Sequence, residues 1–165
     1  MRGYLILLSL LAENASAIET HCSRQEQVVF SCAIKSSKII SLCASKALAV
    51  GQGSLTYRFG HLGKVELEFP STPINSVQKF RSAHYSRYQT DRTEISFAIK
   101  KYNYTIFDYY EGEQKLKNIR GVRVLSLNEA SSETELLCKS QVKSELQKLS
   151  GIIPCDTENA LASCN

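Results

Sequence analysis

Residues 55 to 69 read LTYRFGHLGKVELEF, two runs in which polar and apolar residues alternate, separated by a few residues that end in glycine. A period of two places successive side chains on opposite faces of a strand, and two such runs joined by a short glycine-containing link read as a β-hairpin. With His61-Leu62-Gly63 as the loop, Phe59 lies opposite Val65, Arg58 opposite Glu66, Tyr57 opposite Leu67 and Thr56 opposite Glu68. Each apolar residue then meets an apolar partner, whereas a slip of one residue sets Phe59 against a charge. Gly63 takes the last loop position, which is left-handed in three-residue hairpins and costs glycine nothing. On this reading Arg58 and Glu66 are an exposed cross-strand pair, and the arginine, histidine and glutamates of the stretch are architecture.

The same short alternating segments recur outward from this hairpin. Gln27 to Ile34 and Lys38 to Ala44 flank Lys35-Ser36-Ser37 and give an earlier hairpin. Pro70 and Pro73 end the ladder after Phe69, because proline has no N–H to donate. Ser82 to Tyr88 reads as an irregular strand within a loop. Glu94 to Lys100 and Tyr102 to Tyr110 form a third hairpin with two open registers: Ile95, Phe97 and Ile99 align either with Ile106, Tyr104 and Tyr102 or with Tyr109, Phe107 and Thr105. Gly121 to Leu127 adds a strand after a charged loop. Near the C-terminus the period changes. Val142, Leu146 and Leu149 are spaced four and three apart, with Gly151 and Pro154 beyond, which predicts a helix over residues 140 to 150. Ser132 and Glu135 make a capping box that could start it earlier, while residues 135 to 138 read equally as a last strand. The predicted fold is all-β, an antiparallel β-barrel or closed sandwich of about eight strands with a C-terminal helix.

The first residues specify a destination. Arg2 supplies a positive n-region, Tyr4 to Ala12 an apolar h-region, and Ala15-Ser16-Ala17 a cleavage site, the pattern of a secretory signal peptide. The apolar run is about half the length needed to span a bilayer, so no stable membrane insertion follows cleavage. The expected organisation is a signal peptide over 1–17, a β domain over 18–139, and a helix with a disulfide-stapled tail over 140–165. Six cysteines (Cys22, Cys32, Cys43, Cys138, Cys155, Cys164) behind a signal read as three disulfides made in an oxidising compartment. Cys155 and Cys164 are near enough for a local staple, and Cys22 or Cys138 can tie an end of the chain to the hairpin that carries Cys32 and Cys43. No C-x-x-C pair occurs and the three histidines (His21, His61, His84) are scattered, so neither a metal nor a cofactor is implied. The net charge of +4 comes from interspersed Lys, Arg, Glu and Asp, a solvated surface and not a nucleic-acid footprint.

Candidate chemistry is sparse. His61 and His84 could serve as acid and base in a ribonuclease-like hydrolase, but nothing in the sequence brings them together. Gly51-Gln52-Gly53-Ser54 lacks the glycine that follows the serine in a nucleophile elbow and reads as a turn. Asn103-Tyr104-Thr105 matches a glycosylation sequon inside a strand. The richer cluster is Arg81, His84, Tyr85, Arg87 and Tyr88, together with Tyr102 and Tyr104 of the tyrosine-rich run, because Tyr and Arg dominate binding hot spots and loops on a rigid sheet are where recognition resides.

The ordered series FSC (30–32), SLCASK (41–46), TYRFG (56–60), GKVELEFP (63–70), YNYTIFDYYEGE (102–113) and GVRV (121–124) resembles a group of small exported bacterial proteins with no settled activity. The resemblance covers roughly residues 22 to 138 and implies a periplasmic location and a compact β domain, with no catalytic residues to carry over. The resulting expectation is a non-enzymatic periplasmic binding protein with a protein partner, an inhibitor or immunity protein against a toxin or enzyme that attacks the cell envelope. The alternative is a small-ligand or lipid carrier whose aromatic strand face lines a cavity.

Overall fold

The computed structural model describes residues 17–113, 115, 118–128, 132–139 and 141–164. The predicted signal segment therefore lies, up to residue 16, outside the described residues. Strands β1 (Glu26–Ala33), β2 (Lys38–Ser45), β3 (Leu55–His61) and β4 (Lys64–Phe69) follow one another across one sheet, and β10 (Lys143–Ser144) joins its β1 edge. The second sheet is a meander of β5 (Arg81–Arg87), β6 (Thr90–Ile99), β7 (Tyr102–Glu111), β8 (Asn118–Ser126) and β9 (Glu133–Leu137). All pairings between strands are antiparallel. The all-β expectation holds, but the two sheets remain open and face each other as a sandwich, with ten strands in place of about eight. Residues 81 to 87, read from sequence as an irregular strand, pair regularly along their whole length, and strands at 133–137 and 143–144 complete the ten.

Packing between the sheets is aromatic at its centre. Tyr57 of β3 lies 4.9 Å from Phe97 of β6, Phe69 of β4 stacks on Phe97 at 5.0 Å, and Phe97 stacks in turn on Tyr104 of β7 at 5.1 Å. Phe80 meets Phe69 and Phe97 edge-on. Ile40, Leu42 and Leu55 from the first sheet and Ile95, Ile106 and Val122 from the second surround these rings and are fully buried. Each large apolar side chain so buried contributes about 1.5–3 kcal/mol by removal from water, which makes this layer the main cohesive element.

The hairpin at residues 55 to 69 forms, in a different register from the one the alternation suggested. His61 pairs with Lys64, leaving a two-residue turn of Leu62 and Gly63, and Gly60 pairs with Val65; beyond that the ladder shifts, so that Phe59 faces Leu67, Arg58 faces Glu68 and Tyr57 faces Phe69. Glu66 is the extra residue of a β-bulge. The shift sets the bulky Leu67 and Phe69, in place of Val65 and Leu67, against Phe59 and Tyr57, and Phe69 reaches the aromatic core. It depends on Gly60, where a Cβ would lie 2.2 Å from the Lys64 carbonyl oxygen and 2.7 Å from the Glu66 nitrogen. Arg58 is accordingly no simple cross-strand partner of Glu66. It bridges Glu68 (2.6 Å) and Glu26 (2.9 Å), and Glu66 pairs with Lys38. The third hairpin adopts the first of its two registers, with Ile95, Phe97 and Ile99 opposite Ile106, Tyr104 and Tyr102.

The predicted C-terminal helix is replaced by β10 and one 3-10 turn, Leu146–Leu149. Ser140 lies outside the described residues. Lys143 and Ser144 pair with Ser31 and Phe30, which draws the backbone out of a helix. Leu146 and Leu149 are both buried, because a spacing of three also suits the three residues per turn of a 3-10 segment.

The disulfides are Cys22–Cys43, Cys32–Cys138 and Cys155–Cys164. The staple of the tail is the one anticipated, and both of the other bridges tie an end of the domain to the first hairpin. Cys22 holds the N-terminal segment over the outer face of β2, where the His21 N–H donates to Ser41 Oγ and Ser31 Oγ donates to the Glu19 carbonyl. Cys32–Cys138 sits where the chain leaves the second sheet for the first: the Cys138 N–H donates to the Arg120 carbonyl, and the Lys139 N–H to that of Ala33. Three disulfides suit an oxidising compartment. Among the described residues no helix is long and apolar enough to cross a membrane.

Two expectations follow for stability. Gly60→Ala forces backbone apart at the bulge and should cost about 2 kcal/mol or more, read as a lower urea midpoint with an unchanged m-value. Removing Cys32–Cys138, which spans 106 residues, should cost about 5 kcal/mol on the chain-entropy estimate. Removing Cys155–Cys164, which spans 9, should cost about half that, and paired Cys→Ala variants compared in the same denaturant series test the order.

Candidate functional site

The segment that carries most of the expected site residues is a strand, so alternation divides them between two faces. Residues 81, 83, 85 and 87 of β5 point to the outer face of the second sheet, and Ser82, His84 and Ser86 point inward. His84 Nε2 lies 3.2 Å from Asp91 Oδ2 of the neighbouring strand. Arg81 folds back on its own chain, donating to the carbonyls of Gln78 and Phe80 at 2.8 and 2.9 Å. Tyr104 is part of the aromatic core. Tyr102 begins β7, whereas the β5–β6 turn lies at the opposite end of the sheet, roughly 30 Å away at the rise of a strand. Tyr85, Arg87 and Tyr88 are left together, and they form the tip.

That tip is the hairpin turn of β5 and β6. Arg87 pairs with Thr90, Gln89 takes a left-handed conformation with φ 56°, and the Gly112 N–H donates to the Gln89 carbonyl at 2.7 Å, tying the turn to the end of β7. Tyr88 is 85% exposed, and its hydroxyl accepts a bond from Gln89 Nε2. Behind it a polar-aromatic row crosses the outer face. Tyr85 stands opposite Arg92 and Arg92 opposite Tyr109; the Arg92 guanidinium lies 5.6 Å from the centre of the Tyr109 ring and holds Glu111 at 2.5 Å. Arg92 and Glu111 fall outside the strands predicted from sequence, and Tyr109 figures there only as one of two possible hairpin partners, so the sequence does not join the three. The signal was there in the alternate positions of the two strands.

Further along the same face, a cavity of about 860 Å³ opens beneath the C-terminal tail. Its buried charged member is Glu94, 6% exposed, whose carboxylate accepts from the Tyr109 hydroxyl and from Asn159 Nδ2, with Arg123 Nη1 at 3.6 Å. Arg123 also lies over the Phe107 ring at 5.4 Å and bonds Glu135 at 3.1 Å. Ser96 Oγ donates to Asp156 Oδ2 at 2.8 Å, and Ser82 and Cys155 form a short parallel bridge. This network holds the tail on the sheet. Burial first, and then the bond to Glu94, push the Tyr109 phenol above its ordinary range.

The histidines weighed for acid–base chemistry stand on different sheets, His84 beside Asp91 and His61 at 3.9 Å from Glu66. The Gly51–Ser54 stretch is a turn closed by the Ala49–Gln52 pair. Among the described residues no group of three or more His, Cys, Asp or Glu side chains is arranged to hold a metal ion. Comparison with protein-family models, with curated proteins and with solved structures finds no match to the chain.

Tyr109→Phe should lower stability at neutral pH by about 1.5–3 kcal/mol, the worth of a hydrogen bond to a charged group. A phenol whose folded pKa is raised stabilises fully below its unfolded value near 10 and loses that contribution as pH rises through the folded value. The variant should therefore show a shallower fall in stability above about pH 10 than the wild type, in which Tyr57 is also pushed up by burial; denaturant melts across that range measure the difference.

Proposed function

We propose that the chain is an exported, non-enzymatic binding protein that engages a protein partner in the periplasm through the β5–β6 tip, acting as an inhibitor or immunity protein against a toxin or enzyme that attacks the cell envelope. The observation that carries the reading is Tyr88, a large aromatic side chain 85% exposed at the end of a braced hairpin, with Arg87 and Tyr85 beside it. Tyr and Arg supply much of the energy at interfaces where a few side chains dominate. A tip already fixed by the Gly112–Gln89 bond and by pairing to β7 loses little conformational freedom on docking. A protruding hairpin of this kind suits insertion into a cleft, as an active-site inhibitor requires.

The carrier reading draws less support. The aromatic side chains that would line its cavity, Phe97 and Tyr104, stack on one another and on Tyr57 and Phe69. Export itself rests on the signal pattern at the N-terminus and on the three disulfides.

Recovery of partners from a periplasmic extract, with wild type and an Arg87→Ala/Tyr88→Ala variant side by side, tests the tip. The variant should bind the wild-type partner at least about thirtyfold more weakly, the loss of one hot-spot residue, with an unchanged melting temperature. Equal recovery by the two proteins would place the interface elsewhere.

A further inference from the structure

The inner face of the second sheet changes character along its length. In the middle, Ile95, Ile106 and Val122 stand side by side and pack against the first sheet. Two residues toward the tip, the next row on the same face is His84, Thr93, Asp108 and Arg120, and the row beyond it contains Asp91, Tyr110 and Asn118. The 3-10 turn comes over these rows, and Gln147 Nε2 donates to Asp91 Oδ1 at 2.6 Å. Between the turn and the sheet lies a cavity of about 450 Å³, within the range of small-molecule sites, roughly 300–1,000 Å³.

Thr93 is 3% exposed and lines this cavity. Its Oγ1 is the one buried side-chain nitrogen or oxygen among the described residues that lacks a hydrogen-bond partner. Buried polar atoms are otherwise almost always paired, so an orphan at a cavity wall points to a partner supplied from outside the chain. The threonine hydroxyl can both donate and accept a hydrogen bond.

The other groups narrow the chemistry. Each carboxylate already has a partner: Asp91 has Gln147 and His84, Asp108 accepts from Arg120 Nε at 2.6 Å, and Glu145 holds Lys143 and Lys148 at 3.2 and 3.0 Å. The charged groups that line the cavity are thus all engaged within the fold. Open hydrogen-bonding positions remain. Asp108 Oδ2 and Arg120 Nη1 take no part in the bonds among the described residues, and the Tyr110 ring forms part of the wall. A carboxylate oxygen beside a guanidinium nitrogen, with a hydroxyl and an aromatic face nearby, suits neighbouring hydroxyl groups that each donate to one side and accept from the other. We propose that this cavity binds a neutral saccharide. The site is separate from the partner-binding tip and does not depend on it.

The full chain labelled with ¹⁵N, titrated with chitobiose, maltose, cellobiose and lactose, tests the proposal, with sodium phosphate and putrescine as charged probes. At least one disaccharide should shift the amides of residues 91–93, 108–110 and 144–148 saturably. Thr93→Val, which keeps the shape and removes the hydroxyl, should weaken that binding about five- to tenfold, the worth of one hydrogen bond, without lowering the melting temperature. The Arg87→Ala/Tyr88→Ala variant should bind the sugar as the wild type does. Absence of shifts with every disaccharide, shifts at these amides with phosphate or putrescine alone, wild-type affinity in Thr93→Val, or loss of sugar binding in the tip variant would each overturn it.

Discussion

The corner at Cys138 is the constraint on which the arrangement depends. Each sheet taken alone is a run of sequential hairpins with one apolar face, and neither buries that face by itself. The chain passes between them three times, from β4 to β5, after β9, and after β10, where the tail reaches Ser82. At the second passage Cys138 belongs to both sheets: its N–H bonds the Arg120 carbonyl of β8, it bridges to Ile34 beyond β1, and its sulfur is joined to Cys32. The direction of the chain beyond this point fixes the short β10 pairing, the placement of the 3-10 turn, and hence the roof over the polar end of the second sheet.

The two terminal segments do similar work on opposite outer faces. The N-terminal segment, held by Cys22, covers β2, whose residues are buried on both sides. The stapled tail covers the middle of the second sheet and shelters Glu94. The β5–β6 tip remains uncovered beyond both, and for this reason exposed aromatic area concentrates there instead of being spread over the faces.

Much of the fold was legible from alternation, because a period of two is a local property and survives any error of register. The hairpins at 55 to 69 and 94 to 110 were found that way. The register of the first was not, since a bulge depends on whether Gly60 lets two backbones approach, and on which apolar side chains reach the core of the other sheet. The helix failed for a related reason: a spacing of four and three among Val142, Leu146 and Leu149 is compatible with burial in a 3-10 turn, and only the pairing of Lys143 and Ser144 with β1 excludes the helix. The candidate site was legible in part. Closeness in sequence grouped Arg81 through Tyr88, but a strand sends neighbours to opposite faces, so the group divides among the tip, the inner face beside Asp91 and the backbone near Phe80. Tyr104 is taken by the core. The residues around Thr93 come from four separate segments, and whether a polar row on an inner face is covered or left open depends on how far the opposing sheet extends, which no local pattern records.

The order of the cysteines bears on biogenesis. The pairs Cys22–Cys43 and Cys32–Cys138 interleave along the chain, so a polypeptide emerging N-terminus first offers Cys22 to Cys32 before either native partner has arrived. In an oxidising compartment a bond between those two would have to be undone before the native set could form. The native set is reached by keeping Cys32 reduced until β9 is complete, or by releasing it through thiolate attack and mixed-disulfide exchange. Folding in an oxidising compartment thus draws on disulfide exchange more than for a protein whose cysteines pair in sequence order.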